Sequence, residues 1–453
     1  MNKKVVDKLW LVANKARGIF EDTGLCKMMI LMLFLKYIDM KKDEEDEMIL
    51  PVYDDKYSLG YLALTYGKMV GMVDLAQYVE RIEHELGLEN TCISIELGRL
   101  LEKADAETVK TIADVISQAD FESTNQMYEL ALMLLNRLIY ANGKTGEYLT
   151  NLSLSRLEAR LLDCKDGMMV YDGFCGSGIS ASEVAGNKGI IHIQDLNVGA
   201  VAIASIMNLL KGNQIGDIRC GDSILNPLSN GKYDRIVCEP PFGGMYDREY
   251  LLSVPKDNCM YHESLDRDSL ALRHCLAQLK DDGIAAVLVP MGMLFKSGRG
   301  AEVREKLIKK HIDMVIELPG GVFYPYTAIA TALLILKNNK QDNSIYMINA
   351  RDFFERNKPR GQAEISEENI NRIVKMYQNK EEIDGIAKNT PIDEIAANGF
   401  NLCTTQYVTL SPEDTITIED TTVYVQKYDQ LVGQLAEIDK QLGAVRSRFT
   451  KEA

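Results

Sequence analysis

The chain has 453 residues, of which 46% are hydrophobic and 26% charged. That is enough apolar material for a large core, which excludes disorder over most of the length. The formal net charge of −15 excludes a protein that coats nucleic acid by bulk charge, so any DNA contact must come from a local basic patch or a more basic partner.

Apolar residues first recur at helical spacing: Val6, Leu9, Trp10, Ala13, Ala16 and Phe20. Asp7 and Lys8 interrupt any secretory signal core. Met28 to Ile38 is apolar nearly all round, as in a buried helix of a bundle. The uninterrupted part, Met28 to Leu35, is far short of the roughly 20 residues a membrane span needs. A cytoplasmic protein with no membrane contact is expected. Gln126 to Tyr140 repeats the helical pattern, and Pro51 is the only proline before Ala141. The first stretch therefore reads as an all-helical domain over 1–141. The nine cysteines contain no C-x-x-C pair and the five histidines no H-x-x-x-H pair, so neither a disulfide framework nor a metal site is expected.

From about Asn142 the pattern changes. Met168–Tyr171, Ile190–Ile193, Arg235–Cys238, Ile284–Val289, Met314–Leu318 and Ala330–Leu336 read as strands. Asn197–Gly212, Asp266–Leu279 and Gly300–Lys310 read as helices between them. The alternation predicts an α/β fold with a mostly parallel sheet covered on both faces, and ligands bind such sheets at the carboxyl ends of their strands. From about Asp352 the chain turns polar and helix-rich. Near its end, Val425, Tyr428, Leu431, Leu435, Ile438, Leu442 and Val445 step by three and four. That is either a coiled-coil seam or a helix folded back on its own domain.

The chemistry falls at strand ends. The first strand runs into Asp172-Gly173-Phe174-Cys175-Gly176-Ser177-Gly178, where glycines let a backbone approach a ligand or form a tight turn. No P-loop pattern is present. Asp195 ends the second strand, 23 residues after Asp172, which suits an acid gripping a ribose. Asp222 follows a third strand and suits either an adenine amino group or a turn cap. The strongest signal is Glu239-Pro240-Pro241-Phe242. Two prolines stop the ladder and stiffen the loop. An acceptor, a rigid carbonyl and an aromatic ring then stand together, as recognition of a flipped base requires. A proline-stiffened turn with a buried Phe is the plain alternative.

At these residues the chain resembles the DNA adenine-N6 methyltransferases, and more closely the modification subunit of type I restriction–modification systems. Asp172 to Gly178 resembles that family's S-adenosylmethionine loop, D-P-x-C-G-T/S-G, and Glu239–Phe242 falls at its N-P-P-F/Y. Gly283–Pro290, Leu294-Phe295, Arg304, Ile316–Phe323 and Ile395–Tyr407 match further blocks. The resemblance implies a Rossmann-like methyltransferase domain over 142–410 and a C-terminal helical tail over 411–453 that docks a partner. It implies S-adenosylmethionine as cofactor, with Thr150, Asp172, Cys175, Gly176 and Gly178 near its methionine part, Asp195 on its ribose and Asp222 on its adenine. Pro240 would face the target amine and Phe242 would stack on the adenine. The implied partners are double-stranded DNA, a specificity subunit and, further out, a restriction subunit and a second copy of the chain. Arg299, Arg304, Lys306, Lys309 and Lys310 are basic residues that could meet phosphate or merely face solvent.

Three positions depart from that family's pattern: Gly173 for proline, Asn151 for the proline after Thr150, and Glu239 for asparagine. Glu239 matters most. It is one methylene longer than Asn, and as a carboxylate it places negative charge where DNA enters. Against that, it accepts hydrogen bonds and favours positive charge developing on an amine. A misplacement of about 1 Å can cost about 100-fold in rate. Two readings therefore stay open: a working adenine methyltransferase, or a catalytically degenerate subunit that binds S-adenosylmethionine or holds a complex together.

Overall fold

The structure is a computed structural model that describes residues 2–15, 22–142, 150–228, 232–247, 249, 266–324, 327–356, 361–409, 425–435, 438 and 440. The first part is helical, as expected: α1 (Asn2–Lys15), α2 (Asp22–Asp43), α3 (Leu59–Thr65), α4 (Met72–Glu85), α5 (Ile93–Leu101), α6 (Ala106–Ser117) and α7 (Thr124–Asn142). α2 is its centre, with every residue from Met28 to Leu35 buried.

The sheet that follows is built from β1 (Met169–Asp172), β2 (Ile190–Asp195), β3 (Gln214–Cys220), β4 (Tyr233–Cys238), β5 (Leu279–Pro290), β6 (Ile312–Glu317), β7 (Thr331–Lys337), β8 (Ser344–Asn349) and β11 (Ala387–Pro391). Their order is β11-β8-β6-β7-β5-β4-β1-β2-β3. β1, β2, β3, β4 and β5 are mutually parallel, and β6 is parallel to β8. β7 is inserted antiparallel between β5 and β6, and β11 pairs antiparallel with β8 at the edge. A separate ribbon joins β9 (Phe354–Arg356) to β10 (Ala363–Ile365). The helices around the sheet are α8 (Leu152–Leu162), α9 (Ile179–Ala185), α10 (Val198–Lys211), α11 (Arg267–Gln278), α12 (Gly292–Phe295), α13 (Arg299–Lys310), α14 (Glu367–Asn379) and α15 (Ile392–Ala397). No helix among the described residues is long and apolar enough to cross a membrane.

α10 joins the two parts. Ala202, Ile203, Ile206, Met207 and Leu210 belong to the buried cluster of the N-terminal helices, whereas Val201 and Ala204 belong to the cluster under the sheet. That double duty explains why α10 is apolar on nearly every side.

All six expected strands are present, and β3 lies where a strand before Asp222 was expected. β8 is a further strand of the α/β stretch that was not expected, and β9, β10 and β11 correct the reading of the stretch after Asp352 as helical. β8 offers only four consecutive apolar residues, Ile345 to Ile348, between long polar flanks. β11, Ala-Lys-Asn-Thr-Pro, is an edge strand with no apolar alternation. On the basic helix α13, Lys306, Lys309 and Lys310 face solvent, one of the two readings left open, and Arg304 alone differs from expectation. Arg304 is buried and donates to the carbonyls of Phe400 (2.7 Å), Lys296 (2.8 Å) and Met293 (3.3 Å), so it ties loops together and is not free to meet phosphate. Lys309 pairs with Glu305 at 2.6 Å and lies over the Phe400 ring.

Candidate active site at the carboxyl ends of β1 and β4

β1 has β2 on one side and β4 on the other. From β1 the chain winds outward to β2 and β3, and β4 and β5 then extend the sheet in the opposite direction. A crevice opens where the winding direction switches. It is a cavity of about 860 Å³ whose wall includes Thr150, Gly173, Gly176, Asp195, Asp222, Glu239, Pro240, Pro241 and Phe242. The two motifs expected to act together therefore share one space.

On the β1–β3 side the acids are held by backbone amides. The Gly176 N–H donates to Asp195 Oδ2 at 3.0 Å and the Asn197 N–H to Asp195 Oδ1 at 2.9 Å. Asp222 Oδ1 accepts from the N–H groups of Ile224 (2.9 Å) and Leu225 (3.1 Å), so it caps a turn and also faces the cavity. Asp172, Cys175 and Gly178 lie outside the cavity wall. Asp172 is buried and accepts from the Phe174 N–H at 3.0 Å; burial pushes its carboxyl well above the usual carboxylate range. Burial likewise pushes the Cys175 thiol far up, which leaves it an inert apolar filler. Gly178 has φ +74°, and a Cβ there would stand 2.7 Å from the Cβ of Ala204. It lets α9 start against α10.

Two of the three departures have local explanations. At Gly173 a Cβ would stand 2.6 Å from the Tyr171 hydroxyl, so this loop has no room for proline. Asn151 caps α8, its Oδ1 accepting from Ser153 N–H at 3.0 Å and Leu154 N–H at 3.3 Å. Its Nδ2 donates to the carbonyls of Val322 and Ala363, both at 2.9 Å. A proline could make none of these bonds. The rest of the 144–150 motif, Lys144 to Leu149, lies outside the described residues.

On the β4 side, Glu239 Oε1 accepts from the Ser180 hydroxyl at 2.6 Å. Burial pushes the Glu239 carboxyl up to about 7, against the opposing effects of the Ser180 hydrogen bond and of the neighbouring Glu158 carboxyl. Phe242 is half-buried and meets Phe323 edge-to-face, with ring centroids 6.3 Å apart. Sequence reasoning missed Ser155, Glu158 and Ser180, which back Glu239, and Arg267, which lies over the Tyr246 ring at the cavity wall. Helical spacing on α8 was the only available signal: Ser155 and Glu158 are three apart and both buried.

This sheet, with an antiparallel strand inserted next to its parallel half and a cavity at its switch point, is the fold of the S-adenosylmethionine-dependent methyltransferases. Residues 120–415 match the N-6 DNA Methylase family, and the chain belongs to it; it is similar to methylase subunits of type I restriction enzymes. Among its relatives, the type I restriction enzyme MjaVIII methylase subunit of Methanocaldococcus jannaschii is 27% identical over 96% of this chain and 85% of that protein. The type I restriction enzyme EcoEI methylase subunit of Escherichia coli is 23% identical over 88% of this chain and 89% of that protein. The fold is shared with a type I restriction–modification system methyltransferase subunit from Streptococcus thermophilus at a TM-score of 0.75 and 20% identity, covering 90% of this chain and all of that one.

Proposed function

We propose that this chain transfers a methyl group from S-adenosylmethionine to the N6 amine of an adenine in double-stranded DNA, within a complex whose specificity subunit selects the site. The observation that carries the reading is the shared cavity, with Asp195 and Asp222 in one wall and Glu239 to Phe242 in the other. Its size and donor set fit the cofactor. Asp195 would accept from ribose hydroxyls and Asp222 from the adenine amino group, and the Asp172–Gly178 turn and Thr150 would flank the methionine part. Bound there, the cofactor supplies an electrophilic methyl group on a sulfonium. The chain's own contribution is positioning: Pro240 offers a carbonyl to the target amine, Phe242 a face for the base, and Glu239 an acceptor for an amine hydrogen.

The described part of the C-terminal helix supports a helical partner. Residues 425–435 are helical, and Val425, Tyr428, Leu431, Leu435 and Ile438 are all more than half exposed, which supports a seam that faces outward over its described part. Leu442 and Val445 lie outside the described residues. An apolar seam left in water suits paired helices of a specificity subunit.

The test is a genome-wide map of N6-methyladenine with and without the gene. Loss of methylation at one defined motif is expected. An unchanged map, with the protein expressed, overturns the reading and leaves an assembly subunit.

A further inference from the structure

Glu239 has a second carboxyl group behind it. Glu158, on α8, is fully buried, and neither of its carboxyl oxygens receives a hydrogen bond. Its neighbours are the Glu239 carboxyl, the Ser180 hydroxyl and the Asp172 carboxyl. The protons of this cluster can be counted. Ser180 gives its single hydroxyl proton to Glu239 Oε1 at 2.6 Å, so across its 2.9 Å contact with Ser155 it can only accept. Ser155 has that contact and the Asn151 carbonyl, at 3.3 Å, to choose between. No hydroxyl proton remains for Glu158. A buried carboxylate with no donor is costly, and a retained proton removes the charge. It also makes Glu158 a donor facing the Glu239 carboxylate.

We propose that Glu158 and Glu239 share a proton, with Glu158 as the positioning residue that holds Glu239 ready to take up a proton from the target amine. This rests on the methyltransferase reading and gives the glutamate that replaces asparagine a task of its own. In the step, the amine nitrogen forms its bond to the methyl carbon. The carbon–sulfur bond of the sulfonium donor breaks, leaving its electron pair on sulfur as a thioether. The N–H bond breaks, and its proton passes to Glu239. Burial keeps Glu239 near neutral, at about 7, where a proton acceptor is most effective at physiological pH. The other titratable groups facing the pair are Asp172 at the end of β1, with Asp195 next to it, and the Cys238 thiol on β4.

The experiment uses the full chain in complex with its specificity partner, and compares Glu158→Gln and Glu158→Leu with the parent. The parent's methylation rate is expected to rise with pH through about 7. Gln still donates to Glu239 and should keep that limb in place. Leu cannot donate and should move it up by about one unit, roughly tenfold less activity at neutral pH. The infrared carbonyl absorption of protonated carboxylic acids, read at neutral pH without cofactor or DNA, should lose the contribution of one acid in Glu158→Gln relative to the parent, with Asp172 and Glu239 still contributing. An absorption unchanged by that substitution, or a Leu variant with the parental pH profile, overturns the pair. A contribution lost as expected in a protein that methylates nothing upholds the shared proton and removes the catalytic role.

Discussion

The two walls of the cavity hold their carboxyl groups by different means. On the β1–β3 side, Asp195 and Asp222 each take two backbone N–H donors, supplied by turns the glycine-containing loops create. On the β4 side, Glu239 takes one side-chain hydroxyl and backs onto a second carboxyl group that has no donor. Backbone donors are fixed by the fold and favour the ionised form; a hydroxyl and a carboxylic acid can exchange protons. One wall is therefore suited to hold a ligand through fixed acceptors and the other to move a proton.

The largest test of this contrast is Asp195→Ala. A carboxylate already oriented by two amides should be worth a charge-assisted pair of hydrogen bonds to a ribose. Its loss should weaken S-adenosylmethionine binding by roughly 10- to 100-fold in calorimetry. Unchanged affinity would break the assignment of the β2 wall to the cofactor. Next comes Asn151→Ala, which removes the cap of α8 and leaves the Val322 and Ala363 carbonyls without their donor. A loss of about 2 kcal/mol in denaturant unfolding is expected. Because α8 carries Ser155 and Glu158, the same change should disturb the β4 wall more than cofactor binding at the other.

Glu239→Gln probes the β4 wall directly. The carboxyl is raised from its ordinary value of 4.5 to about 7 on folding. A raised carboxyl contributes stability that is fully present below the lower value and is lost as pH climbs through the upper one. The parent should therefore lose about 1 kcal/mol between pH 4.5 and pH 8, after allowance for solvent in the adjacent cavity. Glu239→Gln should lack that dependence, so its Tm relative to the parent should improve as pH rises. Parallel curves for the two proteins would mean that Glu239 is ionised at no cost, and the contrast between the walls would go.

What could be read from the sequence follows the same division. Asp172 to Gly178, Asp195 and Glu239 to Phe242 were legible because each sits where a strand ends, and strand ends show as apolar runs stopped by glycine, by proline or, at Gln194-Asp195, by polar residues. The central strands were legible because they are buried on both faces. β11 was not, since an edge strand that pairs on one side alone needs no apolar pattern. Glu158 and Ser180 were hidden for another reason. They act through a helix-to-helix contact between α8 and α9 behind the cavity, and nothing local to either residue signals a partner 81 or 59 positions further along the chain. The reasons for Asn151 and Gly173 were hidden likewise, because the atoms that explain them lie on segments distant in sequence or behind the loop.

The smallest expected effect on the fold is also the most selective for function. Leu435 is 65% exposed on the C-terminal helix, with Leu431 and Ile438 on the same seam. Leu435 belongs to no buried cluster among the described residues, so Leu435→Glu should change unfolding stability by less than about 0.5 kcal/mol. Neither cavity wall should notice, and cofactor affinity should stay parental. If the seam packs against helices of a specificity subunit, a charge in its middle must be desolvated on association, and co-purification should drop at least tenfold. A complex that survives Leu435→Glu intact would move the partner surface elsewhere. Loss of the complex with both walls unaffected would separate assembly from chemistry within one chain.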